Sequence, residues 1–285
     1  MSQYELIAFD MDGTLLNSQK EITPRTLAAL KKAAAAGKQI ALSTGRCRPE
    51  LTAYTALVPG IRYFICTSGA LVYDVHEQKE IYKKPLEPEL VRRLLEISKE
   101  EDLMVHLLDA ESIVQTDQFE SMGNYGMGVY KPMYERVVTV WDDLYEAYCA
   151  APFPVEKVNF YHRDPEARER TKERLREAGL PVIMVNAEKG SLELSAEGVD
   201  KGAGLQKLCE YLKLPLDKTI AVGDADNDIT ILQKAGLAAA MGNALPNIKK
   251  LADVQVSDCD HDGCAEVIEK YLLARKECRY SLRRE

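Results

Sequence analysis

Asp10 and Asp12 lie in the run Phe9-Asp10-Met11-Asp12-Gly13-Thr14-Leu15, which closes a β-favouring stretch near the N-terminus. Two carboxylates spaced i, i+2 around a turn can both face a pocket once the strand has ended, and Gly13 relaxes that turn. Packed this closely they resist joint ionisation, and a bound cation removes the penalty. A second acidic cluster, Gly223-Asp224-Ala225-Asp226-Asn227-Asp228, follows the apolar residues 219–222 and opens a helix. Helix capping accounts for one or two of these acids. It does not account for two clusters at one edge of a sheet. Oxygen ligands alone select a hard cation, Mg²⁺ ahead of Ca²⁺ or Mn²⁺. Two features supply positive or donor groups. Ser43-Thr44-Gly45-Arg46 offers a hydroxyl and backbone N–H groups to a phosphate, or is simply a polar turn. Lys201, in Val199-Asp200-Lys201-Gly202, can neutralise charge between phosphate and carboxylates, or is one surface lysine among many.

The elements that must hold these groups alternate at both ends of the chain. Residues 4–10 read as a strand, 24–36 as a helix, 39–43 as a strand, then a short helix after Pro49 and a strand at 63–67. Thr23 caps the first helix, Pro24 occupies its first turn and Gly37 stops it. Downstream come helix 201–212, strand 219–222, helix 226–234, strand 237–240, helix 244–251, strand 253–256 and helix 264–274. This alternation predicts right-handed crossovers and an α/β, doubly wound, mainly parallel sheet. Ligands gather beyond the C-terminal ends of such strands, where the acids lie. The middle differs: helices 87–101 and 165–178 with strands 103–108, 155–161 and 182–186 predict a small inserted α/β layer. Residues 122–154 carry no clear pattern.

The chain has 285 residues, enough for two domains, with 46% hydrophobic and 29% charged residues, an ordinary globular mixture. A net charge of −8 repels nucleic acid and anionic membranes, and neither is expected as a partner. No apolar run approaches the roughly 20 residues of a membrane span. The start Met-Ser-Gln-Tyr-Glu lacks the pattern of a signal peptide, and the seven scattered cysteines suit reduced thiols, so the cytoplasm is the expected location. No obligate protein partner is evident.

DxDGTL, then STGR about thirty residues on, then K-G and GDxxND far downstream, together resemble the haloacid dehalogenase-like phosphohydrolases, and more narrowly their Cof-type branch with a type IIB cap. The similarity runs on through Met241-Gly242-Asn243-Ala244 and Lys250-Leu251-Ala252-Asp253 to Asp262-Gly263. It implies a Rossmann-like core of residues 1–84 and 188–285 and a cap of residues 85–187. It implies a Mg²⁺-dependent phosphatase for sugar phosphates, pyridoxal phosphate, flavin mononucleotide or similar phosphomonoesters. By that resemblance Asp10 is the nucleophile that carries an aspartyl phosphate, and Asp12 the acid, then the base. Thr44, Gly45, Lys201 and Asn227 would hold the phosphate. Asp10, the Asp12 main-chain oxygen, Asp224 and Asp228 would hold Mg²⁺. The general acid would keep its proton near neutral pH because the anionic pocket raises its pKa. Ser68-Gly69-Ala70 departs from the branch's Asn-Gly-Ala, so no substrate contact is carried over to Ser68.

Other signals are set aside. Asp258, Asp260, Asp262, Gly263 and Glu269 match the calcium-loop pattern D-x-D-x-D-G-x₅-E, but the residues before them read as a strand where a helix must enter. Cys259, His261 and Cys264 lack a fourth zinc ligand, and Gly202-x-Gly204 lacks the third glycine of a dinucleotide loop. His76, His106 and His162 stand alone, and Tyr125, Tyr130, Tyr134, Trp141, Tyr145 and Tyr148 read as packing. Two rival functions remain: a phosphomutase, which would return the phosphoryl group to a second hydroxyl, and a phospho-accepting signalling module, which is usually much shorter.

Overall fold

A computed structural model describes residues 3–58, 60–186 and 190–274. Fourteen strands among these residues form two sheets. The larger contains β1 (Leu6–Phe9), β2 (Gln39–Ser43), β3 (Ile61–Cys66), β4 (Leu71–Asp74) and β5 (Lys79–Lys83) from the first part of the chain. The smaller contains β6 (Leu103–Leu108), β7 (Ser112–Gln115), β8 (Val138–Trp141), β9 (Lys157–His162), β10 (Val182–Asn186) and β11 (Ser191–Ala196). β12 (Thr219–Gly223), β13 (Leu237–Ala240) and β14 (Val254–Gln255) complete the larger sheet.

The larger sheet runs β14-β13-β12-β1-β2-β3-β4-β5 and is parallel from β14 to β3. Its central strands are apolar on both faces, as a parallel sheet covered by helices requires; all four residues of β1 are buried. The expected α/β, mainly parallel architecture is present. The hairpin β4–β5, which adds an antiparallel edge, went unread because Leu71–Lys83 is short and carries mixed polarity.

The helix Pro24–Ala35 starts as its sequence dictates, with Thr23 Oγ1 accepting the Thr26 N–H, and ends before Gly37 at φ +74°. Helix Lys201–Leu212 is capped by Asp200, whose Oδ1 accepts the Ala203 N–H at 2.7 Å, and this puts Lys201 at the first helical position. The expected helices 226–234 and 264–274 divide into shorter pieces: a 3₁₀ turn Asp226–Asp228 before Ile229–Lys234, and Gly263–Val267 before a π turn Ile268–Leu272.

The smaller sheet runs β10-β11-β9-β6-β7-β8 and has its own apolar core, in which Leu94, Leu95, Tyr148, Phe160 and Leu175 are buried. The expected boundary after residue 187 lies outside the described residues. The next described strand, β11, pairs with β9 and β10, so the inserted layer extends to Ala196 where the core had been expected to resume. The physical reason is pairing: β11 alternates buried apolar and polar residues and lies antiparallel between β9 and β10. The patternless 122–154 region contains two 3₁₀ turns, the helix Lys131–Val137, β8 and the helix Leu144–Ala150. No helix of the described residues is long and apolar enough to cross a membrane.

Candidate active site

β1 and β12 lie side by side and in parallel, with Phe9 opposite Val222, so Asp10 and Asp224 emerge at the same sheet edge. Thr14 Oγ1 donates to Asp224 Oδ1 at 2.7 Å and ties the two acidic loops together. Gly13, at φ +84°, lies so close that a Cβ there would come 2.6 Å from Asp224 Oδ2. One oxygen each from Asp10, Asp224 and Asp228 can gather within 4.8 Å. Lys201 enters from its helix start and places Nζ 2.5 Å from Asp10 Oδ1 and 2.7 Å from Asp228 Oδ1.

Three carboxylates face one ammonium, and the crowding bears on their protonation. Burial pushes Asp10 well up; Lys201 opposes this, while Asp228 and Asp224 add to it. Burial, then Asp228, push Asp224 up to about 6. Burial alone would discharge Lys201, yet Asp10 and Asp228 hold it charged, above its usual range. An all-oxygen, net-negative cluster of this size suits a divalent hard cation, so these residues fit Mg²⁺. Asp228 also organises its loop, since its Oδ2 accepts the N–H groups of Asp224 and Ala225 at 2.9 and 3.2 Å.

Thr44 and Gly45 follow β2 at the same edge and line a cavity of about 290 Å³ together with Asp10, Asp12, Asp224 and Asn227. Lys201 and Asp228 lie behind that lining, fully buried. The Thr44 N–H already goes to Ile65 O and the Arg46 N–H to Thr44 Oγ1. Of the amides of residues 44–46, then, only that of Gly45 has no partner among the described residues.

Asp12 departs from expectation. Arg46 grips it with one edge of its guanidinium, Nε to Oδ2 at 2.9 Å and Nη2 to Oδ1 at 2.8 Å, and Lys20 Nζ lies 2.8 Å from Oδ1. Burial pushes the carboxyl up, but Arg46 and Lys20 outweigh it and hold Asp12 below the ordinary carboxylate range. The expected raised pKa is therefore corrected: in this arrangement Asp12 is ionised. The clamp joins residues 34 apart and is not legible in the sequence, although Arg46 belongs to the Ser43-Thr44-Gly45-Arg46 run.

Much of the opposite wall of the cavity comes from one face of the smaller sheet. Register places Glu193 opposite Asn159 and Asn159 opposite His106, while Ser191 faces Tyr161; all five line the cavity, as do Tyr130 and Tyr134. The reading of Tyr130 and Tyr134 as packing alone, and of His106 as isolated, missed this. The available signal was alternation: Lys157, Asn159 and Tyr161, like Ser191, Glu193 and Ser195, put polar groups on one strand face.

The inserted layer is seated on the larger sheet. Ser68 Oγ donates to Glu193 Oε2 at 2.5 Å, Thr67 Oγ1 to Glu156 Oε2 at 2.9 Å and Lys20 Nζ to Tyr130 Oη at 3.1 Å. Ser68 thus serves the junction rather than the cavity lining. The calcium-loop acids are engaged elsewhere: Asp260 accepts the Ser18 N–H, Asp262 the Thr23 hydroxyl, and Glu269 pairs with Arg25.

The model of the haloacid dehalogenase-like hydrolase family matches residues 7–268. Phosphatase YwpJ of Bacillus subtilis (strain 168) is 27% identical over 290 residues, covering 94% of this chain and 100% of that protein. The 5-amino-6-(5-phospho-D-ribitylamino)uracil phosphatase YitU of the same organism is 29% identical over 277 residues, 93% of this chain and 97% of the relative. A chloroplastic endoribonuclease of Arabidopsis thaliana, YBEY, is 28% identical over 279 residues, 94% of this chain, and the chain spans only 47% of its length. Among solved structures, a haloacid dehalogenase-like hydrolase from Bacteroides thetaiotaomicron superposes with a TM-score of 0.81 at 27% identity, covering 94% of this chain and 99% of that one.

Proposed function

The chain belongs to the haloacid dehalogenase-like hydrolase family, and from that membership and the geometry of the site we propose that it is a Mg²⁺-dependent phosphatase of small phosphomonoesters. The observation that carries this reading is the convergence of Asp10, Asp224 and Asp228 beside the cavity, with Lys201 held between Asp10 and Asp228. YwpJ and YitU, both named as phosphatases, support it.

In the proposed reaction an Asp10 oxygen attacks phosphorus, the ester P–O bond breaks, and the leaving oxygen takes a proton from Asp12. Water then attacks the aspartyl phosphate, Asp12 removes its proton, and the P–O bond to Asp10 breaks to release phosphate. Splitting hydrolysis this way replaces one hard step with two easier ones. Lys201, Thr44, Gly45 and Asn227 position and neutralise the phosphoryl oxygens. Asp10, Asp224, Asp228 and the Asp12 main-chain oxygen would hold Mg²⁺, which when bound supplies further positive charge beside the phosphoryl group. Asp12, ionised in the Arg46 and Lys20 clamp, is set for the base's part. To act as the acid it must take up a proton as the clamp loosens.

We assign the cap's part to the layer from residue 85 to 196, which covers the cavity, excludes water and meets the leaving group. A cytoplasmic setting fits the six cysteines of the described residues, all of them free thiols.

Asp10→Asn should abolish hydrolysis of p-nitrophenyl phosphate with Mg²⁺ while circular dichroism and the melting curve stay near wild type. Retained turnover in that variant removes Asp10 as nucleophile, and full activity in excess EDTA removes the metal.

A further inference from the structure

Two buried side-chain polar atoms of the described residues have no hydrogen-bond partner, Ser43 Oγ and Asn159 Oδ1. Asn159 lines the cavity and is 5% exposed. It heads a chain of side chains. Asn159 Nδ2 donates to Tyr161 Oη at 2.8 Å, Tyr161 bonds Tyr134, and Tyr134 Oη lies 3.1 Å from His106 Nδ1. His106 Nε2 lies 2.7 Å from Ser112 Oγ, which donates to Glu50 Oε1 at 2.9 Å.

Proton counting orders this chain. With Glu50 ionised, Ser112 spends its single proton on Glu50, so His106 Nε2 donates to Ser112 and His106 Nδ1 accepts from Tyr134. Tyr134 then needs the Tyr161 proton, and the Tyr161 oxygen needs an N–H from Asn159. Turning the amide over would set its carbonyl against an oxygen whose proton is already committed. The neutral, singly protonated ring this requires agrees with burial and Lys157 pushing His106 down to about 3. The amide therefore keeps its carbonyl oxygen unspent, and a buried acceptor left unpaired is costly until a ligand supplies a donor.

The remaining lining restricts that ligand. Glu50 and Glu193 are carboxylates, and the cations of the described lining residues, Lys20 and Arg46, are both paired with Asp12. Among the described lining residues away from Asp10 and Asp224, the carboxylates Asp12, Glu50 and Glu193 outnumber these two cations, so a second anion would meet no net counter-charge. At about 290 Å³ the cavity is also at the small end for ligand sites.

Building on the phosphatase reading, we infer that Asn159 determines specificity by accepting a hydrogen bond from a hydroxyl or amino group of the leaving group. The substrate class is the monophosphate of a small, polyhydroxylated or amino-bearing alcohol without a second anionic group.

Glucitol 6-phosphate, 6-phosphogluconate and p-nitrophenyl phosphate, assayed with Mg²⁺, test this. In wild type, kcat/KM for glucitol 6-phosphate should exceed that for 6-phosphogluconate about tenfold, the latter differing by a terminal carboxylate. In Asn159→Leu, the ratio of kcat/KM for glucitol 6-phosphate to that for p-nitrophenyl phosphate should fall about tenfold, the worth of one hydrogen bond. An unchanged ratio, or a preference for 6-phosphogluconate, overturns the inference. Should Asn159→Leu fail to fold, monodeoxy analogues of glucitol 6-phosphate serve on wild type: at least one should lose about tenfold, and no loss in any overturns the inference. Hydrolysis of p-nitrophenyl phosphate alone sinks the inference and spares the phosphatase reading. Hydrolysis of none of the three sinks both.

Discussion

Lys201 Nζ lies 2.5 Å from Asp10 Oδ1, with both side chains withdrawn from solvent and Asp228 on the ammonium's other side. This contact fixes the orientation of the proposed nucleophile and offsets the charge of two buried acids. Lys201→Met leaves those acids without their counter-ion, and removing one partner from a buried pair costs about 3–5 kcal/mol. The variant should unfold at markedly lower urea, regain part of the loss when Mg²⁺ is added, and turn over p-nitrophenyl phosphate at least roughly a hundredfold more slowly. Wild-type stability together with wild-type turnover would contradict the account.

The Arg46 clamp gives a test through pH. Burial alone raises Asp12, and Arg46 with Lys20 reverses that. Without Arg46 the upward push is opposed by Lys20 only, so Asp12 takes its proton at higher pH and stops acting as a base at higher pH. In Arg46→Met the acidic limb of the kcat profile, at saturating Mg²⁺, should shift upward. Arg46→Lys should not restore it, because one ammonium cannot reproduce the two-point grip on both carboxylate oxygens. Coincident acidic limbs in all three proteins would count against the clamp.

What could be read from the sequence follows the range of the forces involved. Asp10 and Asp224 are legible because each sits in a short local motif at the end of an apolar strand, and parallel pairing of β1 with β12 does the rest. The Asp12–Arg46 pair is 34 residues apart, and Lys20–Tyr130 is 110 apart. No local rule says which cation meets which acid, and so the ionisation of Asp12 was misjudged. His106, Asn159 and Glu193 are brought together only by the register of three antiparallel strands. Strand alternation marks them as one-sided, but not which neighbour the polar side faces. The edge hairpin was lost to short length and mixed polarity, and β11 to mixed polarity alone.

Gly13 and Gly37 form a matched pair. Both have positive φ, +84° and +74°, but a Cβ at Gly13 meets Asp224 Oδ2 at 2.6 Å, whereas at Gly37 it meets nothing within 4 Å. Each change to Ala should cost about 1 kcal/mol from the left-handed backbone alone. Gly13→Ala must in addition displace the Asp224 carboxylate, so the Mg²⁺ concentration for half-maximal activity should rise several-fold, and that of Gly37→Ala should not move. Equal Mg²⁺ dependence in the two variants would show that Asp224 does not need its present position.

His106 supplies a stability test independent of catalysis. Burial, then Lys157, depress its pKa to about 3, against roughly 6.5 in an unfolded chain. Between those values the unfolded chain binds a proton that the folded protein refuses, so stability falls as pH drops, by up to about 1.4 kcal/mol per pH unit from this residue. The penalty is absent above about pH 7, where both states hold the neutral ring. His106→Gln should therefore start less stable than wild type at pH 7.5, because it breaks the chain between Ser112 and Tyr134, and then lose stability less steeply toward pH 5. Urea unfolding at pH 7.5, 6 and 5 reads the two slopes. If the curves run parallel, His106 gains a proton in the folded state as readily as in the unfolded one, and the neutral ring on which the Asn159 orientation depends is lost with it.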